Sequence, residues 1–325
     1  MVNGQASYSL AFELRRAWND SPALTATSLL MMAAFVASCA GIFLDPRIIT
    51  GMPAWLKPAK FAISTAIFSG SIVWLYRYIT IWPRFMRAIG WILSAVLIFE
   101  VAIIDVQAAR GTTSHFNATT PLDTTLFAVM GGAIGVLWLA SLAVLIALFR
   151  QKFENPPWGW LLRLGMLTTV LGSAGGGLML RMTPEQTATP RASHSVRAVG
   201  GHTVGAPDGG SGLPGVGWST QHGDLRIPHF FGLHGLQIIP FIGWLGMRSR
   251  RIQTTRKQTS FAFAIAASYL ALVGILIWQA LRGQSIVDPD GATLFTIAVW
   301  LVATVAAIVL TIGAELPERA QVAAR

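Results

Sequence analysis

Eight stretches of about 20 predominantly apolar residues run through the 325-residue chain, at 23–43, 58–78, 88–109, 122–149, 158–182, 228–247, 259–281 and 292–313. Each is long enough to cross a hydrocarbon layer. Backbone amides find no water there, so each crossing has to be a helix that satisfies its own hydrogen bonds. Composition agrees: 53% of residues are hydrophobic and only 12% charged, too few charges to cover a soluble domain. The expected fold is an all-α polytopic transmembrane bundle of about eight spanning helices, with the lipid bilayer as its first partner.

The net charge of +10 lies in short loops between apolar runs rather than along one basic stripe with interleaved aromatics, which excludes a nucleic-acid binder. Placing the N-terminus in the cytoplasm assigns 14 Lys and Arg to inner segments and 9 to outer ones, with Arg163 inside a helix. Both termini are therefore expected inside.

Around the helices, residues 1–22 read as a polar cytoplasmic lead ending in Asn19-Asp20-Ser21-Pro22, a helix start, and 315–325 as a cytoplasmic tail. Helices one to five occupy 23–182 and helices six to eight 228–314. Between them, 183–227 is an extracytoplasmic Gly/Pro-rich loop, and its core, 183–223, has no hydrophobic periodicity and is expected to be flexible. His194, His202 and His222 lie in or beside it and are expected to be solvated. Cys39, the single cysteine, excludes an intramolecular disulfide, a thiolate cage and a CxxCH haem attachment. Val36-Ala37-Ser38-Cys39 resembles a lipoprotein cleavage box, but the polar lead is long for a signal peptide, so the run reads as a retained helix.

Most polar residues bordering the helices fall at the outer level. Lys57, Lys60 and Ser64 open helix two on one face by their spacing. Lysines at a helix N-terminus oppose its dipole, so an anion is expected close by. Helix three carries Glu100, Asp105, Gln107 and Arg110, with Glu100 roughly 15 Å below Arg110. A carboxylate that deep is protonated, paired or wet. The following loop supplies His115 and Asn117, and Asp123 suits the first turn of helix four.

Helix six opens on Asp224 to Gln237, DLRIPHFFGLHGLQ, an apolar segment carrying an acid, an arginine, two histidines and a glutamine. His229 and His234 are five residues apart, about 140° around a regular helix, so one ligand atom cannot meet both. His234 and Gln237 share a face. A metal or haem b would need His115 together with His229 or His234, with Lys60, Arg110, Asn117, Arg226 and Gln237 as cofactor-binding groups. Pro240 is expected to kink the helix.

Three functions fit this constellation. The first is a membrane redox or metal-dependent protein with His115, His229 and His234 as ligands. The second is proton-coupled binding or transport of an anionic or amphipathic small molecule, in which Lys60, Arg110 and Arg226 hold the anion and Glu100 and His234 carry protons. The third is an enzyme on a lipid-borne substrate with His115 or His234 as general base. No HExxH, P-loop, GxGxxG after a strand or Ser-His-Asp order is present.

The phrases WLKPAKFAIS (55–64), QAARGTTSHFN (107–117) and GDLRIPHFFGLHGLQ (223–237) together resemble signatures of a widespread group of bacterial polytopic membrane proteins. The resemblance covers most of the chain. It implies an eight-helix protein of the bacterial inner membrane and transfers no catalytic role to any residue.

Overall fold

The computed structural model describes residues 10–181 and 198–313. Its helices are α1 (Leu10–Asp20), α2 (Pro22–Leu44), α3 (Leu56–Tyr76), α4 (Pro83–Ala109), α5 (Pro121–Arg150), α6 (Pro156–Ala174), α7 (Arg226–Leu233), α8 (Gly235–Met247), α9 (Thr255–Leu281) and α10 (Gly291–Gly313). A 3-10 turn, Gly175–Leu180, extends α6. Seven of these helices are long and apolar enough to cross a membrane, and the bent pair α7–α8 passes the same test when its two halves are taken together, bringing the number to as many as eight. The fold is an all-α polytopic bundle, as expected.

Prolines start several of the helices (Pro22, Pro83, Pro121 and Pro156), where the missing N–H costs no internal bond. Sequential helices pack side by side. One core joins α2 to α6 and α8 through Leu24, Ile72, Leu93, Leu148, Leu162 and Leu236. A second joins α6, α8 and α9 through Leu161, Ile239, Phe261 and Tyr269. The outer α10 exposes Phe295, Val302 and Leu310, at 70% or more, which suits a lipid-facing helix. Arg163, the one cation read within a span, donates to Leu148 O and Gln151 O at the end of α5 and lies over the Phe153 ring.

Two expectations change here. The polar lead contains α1, tied to the bundle by Arg77, which pairs with Glu13 at 3.3 Å and Asp20 at 2.8 Å. The helix-six segment does not run unbroken from 228 to 247 with its kink at Pro240. It breaks between Leu233 and Gly235 and bends by 53°. The break survives because its freed backbone groups find partners: Leu236 N donates to Thr169 Oγ1 at 2.9 Å, and Thr169 Oγ1 donates to Leu233 O at 3.2 Å. Tyr269 OH adds a 2.7 Å bond to Phe231 O. Close packing locks the bend, since a Cβ on Gly172 would lie 2.3 Å from Gly232 Cα.

The described part of the Gly/Pro-rich loop, 198–223, is a folded cap rather than a solvated coil. Strand β3 (Thr203–Val204) pairs antiparallel with β4 (Gly223–Asp224), and Asn117 bridges to Ala198. Across from it, β1 (Ile48–Ile49) and β2 (Met52–Pro53) form a hairpin turned at Thr50 and Gly51, whose φ of 47° and 77° fit a two-residue turn. His194 lies outside the described residues.

Candidate functional site

The cap covers the start of α3 and fixes what its lysines touch. Lys57 Nζ lies 3.2 Å from His115 Nδ1, and Ser114 Oγ lies 3.0 Å from the same nitrogen. With Lys57 as the ammonium, which can only donate, Nδ1 accepts and the imidazole carries its proton on Nε2. Burial, and then the charges of Lys57 and His202, hold His115 well below the ordinary imidazole value. The ring sits against Phe61, with centroids 5.6 Å apart. Lys60 Nζ donates to Val216 O at 2.8 Å, pinning the cap to α3, while Ser64 is exposed and outside the cluster.

Below the lysines, on α4, Glu100 is 4% exposed and neither carboxyl oxygen has a hydrogen-bond partner among the described residues. It lies within electrostatic range of Lys57 but forms no ion pair with it. Buried polar groups are nearly always paired, so this carboxyl stands out. Asp105, nearby on α4, is half-buried and leaves Oδ1 without a partner.

Several expected ligand-binding groups are already engaged. Asp123 Oδ1 accepts from Arg110 at 2.7 Å and from Gln107 at 2.9 Å, and its Oδ2 accepts from Thr120 at 2.7 Å. Asn117 is buried; its amide donates to Thr113 O and Thr112 Oγ1, and its Oδ1 accepts from Thr119. Arg110 and Asn117 thus lock the loop that presents His115. Arg226 makes a forked pair with buried Asp224, its Nη2 lying 2.6 Å from Oδ2, and also donates to Gly217 O. The Arg226 Nη1 has no hydrogen-bond partner among the described residues.

The histidines are not assembled as a metal cage. His229 donates Nδ1–H to Gly172 O at 2.9 Å, a tie between α7 and α6. His234 occupies the break and packs on Phe230 with centroids 4.4 Å apart. Gln237 donates to Ser71 Oγ at 2.8 Å and leaves Oε1 without a partner. Among the described residues no three His, Cys, Asp or Glu side chains gather as a metal site needs, so His115, His229 and His234 are not brought together.

The structure adds a pair that the sequence reading passed over. His202 Nδ1 lies 2.7 Å from Asp208 Oδ2, and Asp208 also accepts from the amides of His202 and Thr203. Burial opposes the charge on Asp208, but these bonds hold its carboxyl below the usual range. Burial keeps His202 below the ordinary imidazole value against the pull of Asp208. Phe116, held at φ 59°, is wedged between His115 and His202, its ring centroid 6.2 Å from one and 5.3 Å from the other. A histidine and an aspartate six apart in a glycine-rich loop carry no periodic signal. Their pairing depends on the fold of the cap.

Comparison with protein-family models, curated proteins and solved structures finds no match. The fold and site define a multi-pass helical membrane protein with a capped polar cluster at one end of the bundle.

Proposed function

We propose that this protein binds or transports a small anionic or amphipathic molecule in a proton-linked manner at the capped end of the bundle. The observation that carries this reading is Glu100, a buried carboxyl with both oxygens unpartnered, within electrostatic range of Lys57. A group in that setting changes its charge state when a neighbouring charge arrives or leaves. An anion bound near Lys57 and Lys60 competes with an ionised Glu100 for the same positive field, so anion entry favours the protonated carboxyl. His115, held neutral by burial 3.2 Å from Lys57, is placed to exchange a proton with it. The resident-metal reading gains no support from how the three histidines are held.

The test is proton movement in liposomes of reconstituted full-length protein, read with an entrapped pH dye. Inward gradients of inorganic phosphate and of small carboxylates supply the probes. Wild type should acidify the lumen with at least one of them, and Glu100→Gln should not. Equal acidification by the two proteins would remove Glu100 from the mechanism.

A further inference from the structure

A cavity of about 420 Å³ lies in the cap, between the β1–β2 hairpin and residues 202–222, with Arg226 at its floor. Its volume falls in the range of small-molecule sites, about 300–1,000 Å³. Most of the lining is loop backbone from the hairpin and the glycine-rich segment. The ionisable side chains that line it are His202, Asp208, His222 and Arg226.

We propose that this cavity binds a small anion bearing a carboxylate or phosphate group, held by Arg226 and by His202 in its protonated form with Asp208 as counter-ion. Arg226 uses Nε and Nη2 on Asp224 and Gly217 O, which leaves the two N–H groups of Nη1 for a ligand. The ring of His222 has no hydrogen-bond partner among the described residues and supplies a further donor or acceptor. Beneath the cavity Lys57 and Lys60 lie within electrostatic range of Arg226. Against these three cations stand Asp224, already forked to Arg226, and Asp208, with Glu100 deeper in α4. Three cations against the two carboxylates of the cap favour an anion in the cavity.

The groups facing His202 set how the cavity responds to pH. They are Asp208 from its own loop, Arg226 from α7, Lys57 from α3 and His115 from the α4–α5 loop. With His202 neutral, its Nδ1–H serves Asp208, whose negative charge faces the cavity and repels an anion. Protonation cancels that charge and turns Nε2 into a donor. Anion binding therefore takes up one proton at this pair, and affinity rises on acidification by up to about tenfold per pH unit. This assignment shares the anion with the proton-linked reading but needs nothing from Glu100.

The test titrates inorganic phosphate into the full-length protein in phosphatidylcholine nanodiscs at about pH 5.5 and about pH 8. Heat and tryptophan emission are read together. Trp218, packed on Phe230 in the cap, is the local fluorophore. Wild type should bind saturably and at least tenfold more tightly at the lower pH. Gly210→Leu should abolish binding without disturbing the fold, because a Cβ there meets nothing within 4 Å and the residue lines the cavity. Asp208→Asn should flatten the pH dependence, and Glu100→Gln should bind as wild type does. Loss of binding in Glu100→Gln would move the anion site to the bundle and overturn the cavity assignment. Absence of saturable phosphate binding at both pH values, or binding that survives Gly210→Leu, would also overturn it. Repeating the titration in phosphatidylglycerol discs separates the sources of the anion. Competition assigns the cavity to a lipid headgroup, and unchanged binding assigns it to a soluble anion.

Discussion

Replacing Glu100 by leucine should stabilise the folded protein, an unusual outcome for a buried position. Glu100 is 4% exposed, and among the described residues neither of its oxygens has a hydrogen-bond partner. Leaving a buried polar atom without a partner costs about 1–3 kcal/mol, so the two oxygens together represent a few kcal/mol of unrecovered desolvation. Attraction to Lys57 offsets part of that, leaving a net gain of about 1–2 kcal/mol for Glu100→Leu. For a chain of this size that is about 1–3 °C in melting temperature. Glu100→Gln keeps an equally unpartnered polar group and should melt near wild type. The assay is thermal unfolding followed by circular dichroism in a mild detergent, with all three proteins at one pH. A lower melting temperature for Glu100→Leu would show that Glu100 holds helices together, and the argument that its strain serves proton handling would fail.

Three further outcomes follow from the packing and the cap. Gly172→Ala should cost about 1–3 kcal/mol or more, because its Cβ would lie 2.3 Å from the Gly232 backbone, which cannot rotate away; an unchanged melting temperature would refute the close crossing. Thr169→Val should leave Leu236 N and Leu233 O unpaired at the α7–α8 break and lower stability by about 1–3 kcal/mol in the same melts, and no loss would show that the break does not depend on this hydroxyl. His115 is held well below the ordinary value of 6.5, so the stability it contributes is complete above that pH and falls away as pH drops beneath it. Melting temperature should therefore decline between about pH 7.5 and about pH 5, and decline less in His115→Asn; an equal decline in both would clear His115 of that role.

Helix existence was legible because apolar length alone decides it in lipid, and the predicted start of α5 at 122 and end of α9 at 281 fall within a residue of those observed. The bend at His234 was not legible. Pro240 advertises a kink, yet the break depends on Thr169 and Tyr269 from two other helices, whose hydroxyls meet the freed backbone groups. Similarly, spacing placed Lys57 and Lys60 on one face at the start of their helix and Glu100 deep in the next, but could not supply their neighbours. The partners of the lysines turned out to be an imidazole 58 residues away and a carbonyl 156 residues away. Arg110 and Asn117 read as ligand-binding groups because polar side chains near a membrane invite that reading. In the structure their donors are consumed by Asp123 and by the loop itself. The cap was the largest omission, since a glycine-rich segment without alternation gives no sign of folding until it has helix ends to fold against.

That cap changes what the two lysines mean. At an open helix N-terminus, Lys57 and Lys60 could reach water or lipid phosphates along flexible stems. Covered by residues 198–224, they are confined next to the positive end of α3, with an imidazole nitrogen and one carbonyl as hydrogen-bond partners. No carboxylate pairs with either of them among the described residues, although Asp224 lies close enough to fork Arg226. Such an arrangement places positive charge against a helix dipole under partial burial, a cost that an anion in the adjoining cavity would relieve. Cation placement and the cavity therefore belong to one electrostatic arrangement at the capped end of the bundle. Phosphate binding at the cap should therefore stabilise the fold at acidic pH by more than it does at alkaline pH.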